Sequence, residues 1–131
     1  MARIKLTKAR ARRPKPFKGI TKGFTLLHRD VTPALSDTMV CGVVVHHKRH
    51  AWTIRYDEYY YLLEGRLTIH VGRKRYAMRP GDSIWLPENT ALIYDPRPTA
   101  KVVYGVYPID WRERAARRGI ALTGTKRPRR R

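Results

Sequence analysis

Along most of this chain apolar and polar positions alternate over short stretches, at the period of two that marks a half-buried strand. Segments 40–45, 52–54, 59–63, 67–71, 75–78, 83–86, 91–94 and 102–106 all read as strands, the first of them a buried β-branched run through Val43, Val44 and Val45. Between them stand Glu64-Gly65, Gly72-Arg73, Pro80-Gly81-Asp82, Pro87-Glu88-Asn89 and Asp95-Pro96, which are turn formers. Short strands at even spacing with this punctuation predict an antiparallel sandwich or barrel, because parallel strands would need long helical crossovers. One helix is expected, over 111–118, with Asp110 as N-cap, Glu113 completing a capping box and Gly119 as the stop.

Charge divides the chain into three. Residues 1–23 hold nine basic and no acidic side chains, residues 24–111 eleven and nine, and residues 112–131 nine and one. The net charge of +19 therefore sits on the ends, as a basic N-terminal arm over 1–23 and a short helix with a basic tail over 112–131. Pro14 and Pro16 exclude a regular helix through the arm, which is expected to be disordered or to order across a partner subunit. Basic extensions of this kind displace counterions from nucleic acid, although Phe17 is their one aromatic residue and gives little for bases to stack on. A single cysteine, Cys41, excludes an internal disulfide and suits a reducing cytoplasm, and no apolar run has the length of a membrane span.

Two longer patterns carry a resemblance. DEYYYLLEG sets Glu58 and Gly65 with six residues between them, and RPGDSIWLP sets Gly81 and Pro87 with five between them. These spacings resemble the two linked motifs of the cupin superfamily. The run WTIRYDEYYYLLEG, with Tyr107, Pro108 and Trp111 closing the segment, is similar to ethanolamine-utilisation EutQ-like cupins over residues 24–111. The resemblance implies an all-β, single-domain cupin, a conical jelly-roll barrel over 24–111. Small cupins also expose sheet edges and apolar outer faces, which predicts a homodimer. EutQ proteins are associated with ethanolamine breakdown and with an acetate-kinase-like activity.

Metal-binding cupins add two histidines before the motif-one glutamate and a third in motif two. Here those positions fall on Trp52 and Ile54, or Ala51 and Thr53, and on Leu92. Glu58 alone remains of the four ligands, so a metal-independent protein is expected, without a cofactor. By family analogy alone, a magnesium-bridged nucleotide is conceivable at Asp57 and Glu58.

Alternation puts Glu58, Tyr60 and Leu62 on one face, and the motif match turns that face into the barrel. A buried carboxyl must be paired or protonated, so Glu58 is the candidate catalytic or binding residue, with Tyr60, Tyr94, Tyr104 and Tyr107 as hydrogen-bonding candidates. Trp52 and Asp57 complete the candidate ligand-binding set through their places in the motif. Asp57 is expected to face away from Glu58, and Trp52, Trp85 and Trp111 to serve packing. His46, His47 and His50 read as a solvated strand end, since consecutive histidines in a strand point to opposite faces. The expected function is binding of a small polar or anionic metabolite beside Glu58, with proton transfer left open. The alternative is a non-catalytic module whose basic tails bind nucleic acid or an acidic protein partner.

Overall fold

The structure, a computed structural model, describes residues 4–16 and 25–120. Eight strands follow in chain order: β1 (Lys15–Pro16), β2 (Thr25–Val31), β3 (Val40–His46), β4 (His50–Thr53), β5 (Asp57–Val71), β6 (Lys74–Met78), β7 (Ser83–Leu86) and β8 (Ala91–Tyr107). All pairings are antiparallel, in the order β1-β2-β3-β8-β5-β6, with β4 added to β8 and β7 to β5. The expected strand pairs 59–63 with 67–71, and 91–94 with 102–106, each prove to be one long bent strand. In both halves β5 and β8 pair with each other, from Asp57↔Tyr107 to Leu62↔Val102 and again from Leu67↔Pro96 to His70↔Ile93. The bends let each strand serve both layers of the barrel, so the apolar rows on the two inner faces meet.

Gly65 lies at the bend of β5. Its φ is +87°, and a Cβ there would run into the Thr99 carbonyl of β8, so motif one can end only in glycine. The ladder skips residues on either side of it, between Leu62 and Glu64 and between Gly65 and Leu67. Those skips change the parity of the strand, placing Glu58, Tyr60 and Leu62 inside before the bend and Leu67 and Ile69 inside after it. Leu62, Leu67, Ile69 and Val102 are fully enclosed, each side chain contributing about 2 kcal/mol of apolar burial. Motif two is bonded to motif one: Glu58 pairs with Leu86, and the Leu62 amide donates to the Asp82 carbonyl at 2.9 Å.

A helix, α1 (Trp111–Arg117), follows β8 and sets the buried Trp111 and Ala115 against the barrel. It stops at Gly119, φ +72°, where the Gly119 and Ile120 amides donate back to the Ala116 and Ala115 carbonyls in a Schellman arrangement. Its start differs from expectation. Asp110 makes no side-chain cap, and its Oδ1 instead accepts from Arg114 Nε at 2.8 Å, one turn along the exposed face.

Two further differences concern the N-terminal half. The stretch 25–31, not singled out as a strand, is β2 and pairs with β3. The described part of the arm lies on this chain's own sheet edge: Lys15 and Pro16 pair with Leu27 and Leu26, and the Arg12 guanidinium holds Asp30 through two bonds of 2.9 and 2.7 Å. The basic C-terminal tail from 121 onward, and Phe17 with the rest of 17–24, lie outside the described residues. Among the described residues no helix is long and apolar enough to cross a membrane.

Candidate functional site

The inner face of the barrel encloses a cavity of about 70 Å³, bounded by β2, β3, β4, β5, β8 and the start of α1. Such a volume takes a few waters or the end of a small molecule. Glu58 sits in its wall, 4 % exposed, and Tyr94 donates its hydroxyl to Glu58 Oε1 at 2.8 Å. Burial raises the carboxyl's pKa from 4.5 to about 8, against the bond from Tyr94, which draws it down. At neutral pH the group is therefore a neutral acid able to donate a proton.

Tyr60 and His46 form a second buried pair, with His46 Nε2 and the Tyr60 hydroxyl 2.8 Å apart and Thr25 Oγ1 3.4 Å from His46 Nδ1. Burial, together with the charges of His50 and His47, pushes the pKa of His46 down to about 3, so this ring is a neutral hydrogen-bonding group. Its ring stacks on Tyr94 at 4.4 Å, which ties the second pair to the first. The Trp52 indole N–H donates to the Tyr56 hydroxyl at 2.9 Å, and the Tyr56 ring packs 4.7 Å from Trp111. Burial raises the pKa values of Tyr56, Tyr60, Tyr94 and Tyr104, and the charge Glu58 can acquire raises them further. Apart from Arg29, the cavity is thus lined by neutral donors and acceptors within an aromatic wall.

The structure brings together five of the seven residues singled out in the sequence: Glu58, Tyr60, Tyr94, Tyr104 and Trp52 all line the cavity. Tyr107 does not. It is 52 % exposed on the outer face, because Tyr104 and Val106 point inward on a strand that alternates. Asp57 also faces outward, where its Oδ1 accepts from the Glu88 amide at 3.0 Å. Asp57 and Glu58 stand on opposite faces of β5, so these two carboxylates do not meet to bridge a magnesium ion.

The reading of the histidines needs correction. His46 and His50 are 1 % and 5 % exposed and both line the cavity, whereas His47 turns away from it. His46 continues the inward row of Gly42 and Val44, and His50 shares the parity of Trp52. That parity was the available signal, as it was not for Tyr56, which lies in the bend between β4 and β5. Among the described residues no three of His, Cys, Asp and Glu are grouped to hold a metal. Of the positions that the resemblance sets against the cupin histidines, Trp52, Ile54 and Leu92 are buried, whereas the alternative pair, Ala51 and Thr53, is not.

Comparison with known proteins agrees with this geometry. The sequence model of the family Ethanolamine utilisation protein EutQ matches residues 2–113. A curated relative, the acetate kinase EutQ of Clostridioides difficile (strain 630), is 30 % identical over 60 residues, which cover 46 % of this chain and 38 % of the relative. The match thus spans well under half the length of that relative. The ethanolamine utilization protein Q of Salmonella typhimurium LT2 superposes with a TM-score of 0.72 at 21 % identity, over 81 % of this chain and 87 % of the other. An RmlC-like cupin from Shewanella frigidimarina superposes with a TM-score of 0.61 at 12 % identity, over 78 % and 88 % of the two chains. A barrel of these strands, built on these two motifs and matched by the family over most of its length, belongs to the EutQ family of ethanolamine utilisation proteins and has the cupin fold.

Proposed function

We propose that the protein binds a small polar or anionic metabolite in the barrel and that Glu58 serves it as a proton-holding carboxyl. The observation that carries this reading is the enclosed Glu58, facing the cavity and poised to exchange its proton at about pH 8. A carboxyl tuned near neutrality can donate to a bound oxygen or take up a proton from a bound carbon or hydroxyl acid. His46 and Tyr60 add neutral hydrogen-bonding groups next to Glu58, and the aromatic rings make the remaining wall apolar. Metal-independent chemistry is part of the proposal, since hydrocarbon and indole stand where imidazole ligands would be.

The relative named as an acetate kinase points to a small carboxylate or its phosphate ester as the class to test first. The experiment is a thermal-shift and NMR screen of the full chain with short carboxylic acids, aldehydes, amines and phosphate esters, repeated on Glu58→Gln. A ligand whose binding shifts cavity resonances and weakens in the variant supports the proposal, and a screen in which nothing perturbs the cavity refutes it. If the hit is turned over, Glu58→Gln should abolish turnover in a barrel that remains folded.

We further propose a reducing cytoplasm as the setting and a homodimer as the working form. What supports the dimer is the outer face of the sheet, where Tyr59, Tyr61, Leu63, Trp85 and Tyr107 are 38 % to 59 % exposed on adjoining strands. Apolar side chains so concentrated on one face are costly to leave in water, and a second copy would cover them symmetrically.

A further inference from the structure

Tyr104 is 5 % exposed and lines the cavity, and its hydroxyl has no hydrogen-bond partner among the described residues. Leaving a buried hydroxyl unbonded is unfavourable, and a bound acceptor would relieve that cost. The ladder places this hydroxyl in a row across the inner face, with Tyr60 paired to Tyr104, Tyr104 to Gly42, and Gly42 to Arg29. Gly42 contributes no side chain to that row. A Cβ there would strike the His28 carbonyl, because β2 bulges toward it between Arg29 and Val31. Arg29 follows Thr25 and Leu27 on the inward row of β2, just before the bulge, and lines the cavity while remaining exposed at its mouth.

Arg29 has no carboxylate partner among the described residues. The adjacent Asp30 is held by Arg12 at 2.7 Å. A second cation stands close by: Arg112, seated over the Trp111 ring at 5.2 Å, lines the same outer groove as Arg29. Burial lowers the pKa of Arg112, and the charge of Arg29 lowers it further. Two guanidinium groups along this groove, of which Arg29 also lines the cavity, with a hydroxyl lacking an acceptor beside it, make an electropositive approach to an otherwise neutral cavity.

We infer that Arg29 and Tyr104 form an oxyanion subsite at the cavity mouth, the guanidinium opposing the charge of a carboxylate or phosphate group and the phenol donating to one of its oxygens. The inference rests on the cavity being a ligand site, and it fixes which end of the ligand faces out: the anionic group at Arg29, the reactive end toward Glu58. A neutral Glu58 fits this orientation, because an ionised carboxylate nearby would repel the same ligand.

The test is a titration of the full chain followed by NMR, with acetate, inorganic phosphate and acetamide as probes, on the native protein, Arg29→Gln, Arg29→Lys and Tyr104→Phe. At least one oxyanion should bind at the cavity more tightly than acetamide. Arg29→Gln should weaken that oxyanion about tenfold or more, the size of a charge-assisted hydrogen bond, with acetamide changed less than about twofold. Arg29→Lys should recover part of the loss. Tyr104→Phe should weaken the oxyanion while leaving the fold as stable or more stable, since it removes an unsatisfied hydroxyl; a packing role alone would leave binding untouched. Oxyanion binding at the cavity that survives Arg29→Gln and Tyr104→Phe within twofold, or acetamide binding as tightly as acetate, overturns the subsite while the cavity reading stands. If none of the three probes perturbs cavity resonances of the native protein, both are overturned.

Discussion

Replacing Glu58 by glutamine changes one thing above all: the group loses its proton equilibrium while keeping an oxygen to accept from Tyr94. In an unfolded chain Glu58 ionises near pH 4.5, and in the barrel near 8. Between these values the folded state holds a proton the unfolded state has released, so stability falls as pH rises, by about 1.4 kcal/mol per unit. Over the whole interval the loss approaches about 5 kcal/mol, an upper bound because a barrel that admits water on ionisation recovers part of it. His46 acts in the opposite direction, since its folded pKa of about 3 lies below the unfolded 6.5 and stability falls as pH drops through that interval. The native protein should therefore be most stable in weakly acidic solution. Because the histidine contribution is common to both proteins, it cancels in their difference. Urea unfolding followed by tryptophan fluorescence should show the stability of Glu58→Gln relative to native rising by about 4 kcal/mol between about pH 5 and pH 9. A difference flat to within about 1 kcal/mol across that range would refute the claim that burial governs this carboxyl.

Tyr94→Phe removes the bond that favours the ionised carboxylate, so the midpoint of Glu58 should move further up and stability should fall by about 1–2 kcal/mol; a midpoint that drops would contradict the network. Gly65→Ala adds a Cβ against the Thr99 carbonyl at a positive φ, and should cost about 3 kcal/mol or prevent folding, whereas a loss under about 1 kcal/mol in denaturant titration would show that the bend is not held as described. Trp85→Glu, on the outer face and 59 % exposed, should turn a dimer into a monomer in light-scattering chromatography without unfolding it; a native protein already monomeric at micromolar concentration would remove the dimer proposal.

Much of the barrel could be read from parity and turns. The spacings Glu58 to Gly65 and Gly81 to Pro87 work because each reflects a local requirement, a positive φ at Gly65 and Gly81 and the pairing of β5 with β7. What alternation could not supply was continuity through the bends. Residues 62–67 and 96–100 look like turns between separate strands, yet the chain passes through them without reversing. Asp95, buried at 5 % exposure, helps fix the bend of β8. Burial alone would raise its pKa, but hydrogen bonds from His70 at 3.1 Å and Arg97 at 2.9 Å, with the charges of Arg97 and Arg49, hold it below the ordinary value.

The site was legible where strict parity holds and illegible where hydrophilic residues sit inside. Tyr107 lies three positions after Tyr104, an odd step that puts the two on opposite faces. The opposed faces of His46 and His47 suggest a solvated strand end, yet β3 ends at His46 and β4 begins at His50, so only 47–49 lie between the strands and both His46 and His50 carry inward parity. Their polarity is accommodated within the barrel by Thr25, Tyr60 and the Lys48 carbonyl, partners that sequence distance concealed. Arg29 shares the parity of Thr25 and Leu27, but without β2 recognised as a strand that parity could not be read.

The central claim, that the barrel keeps an enclosed carboxyl protonated at neutral pH, is tested most directly by following the side-chain carboxyl carbons of glutamate-labelled protein by NMR as pH is raised. The chain has four glutamates, Glu58, Glu64, Glu88 and Glu113, and the Glu58→Gln spectrum identifies the signal of interest. One resonance, absent from the variant, should titrate near pH 8. If that resonance instead titrates between about pH 4 and 5, as an exposed glutamate does, the carboxyl is solvated and the account of the cavity is wrong.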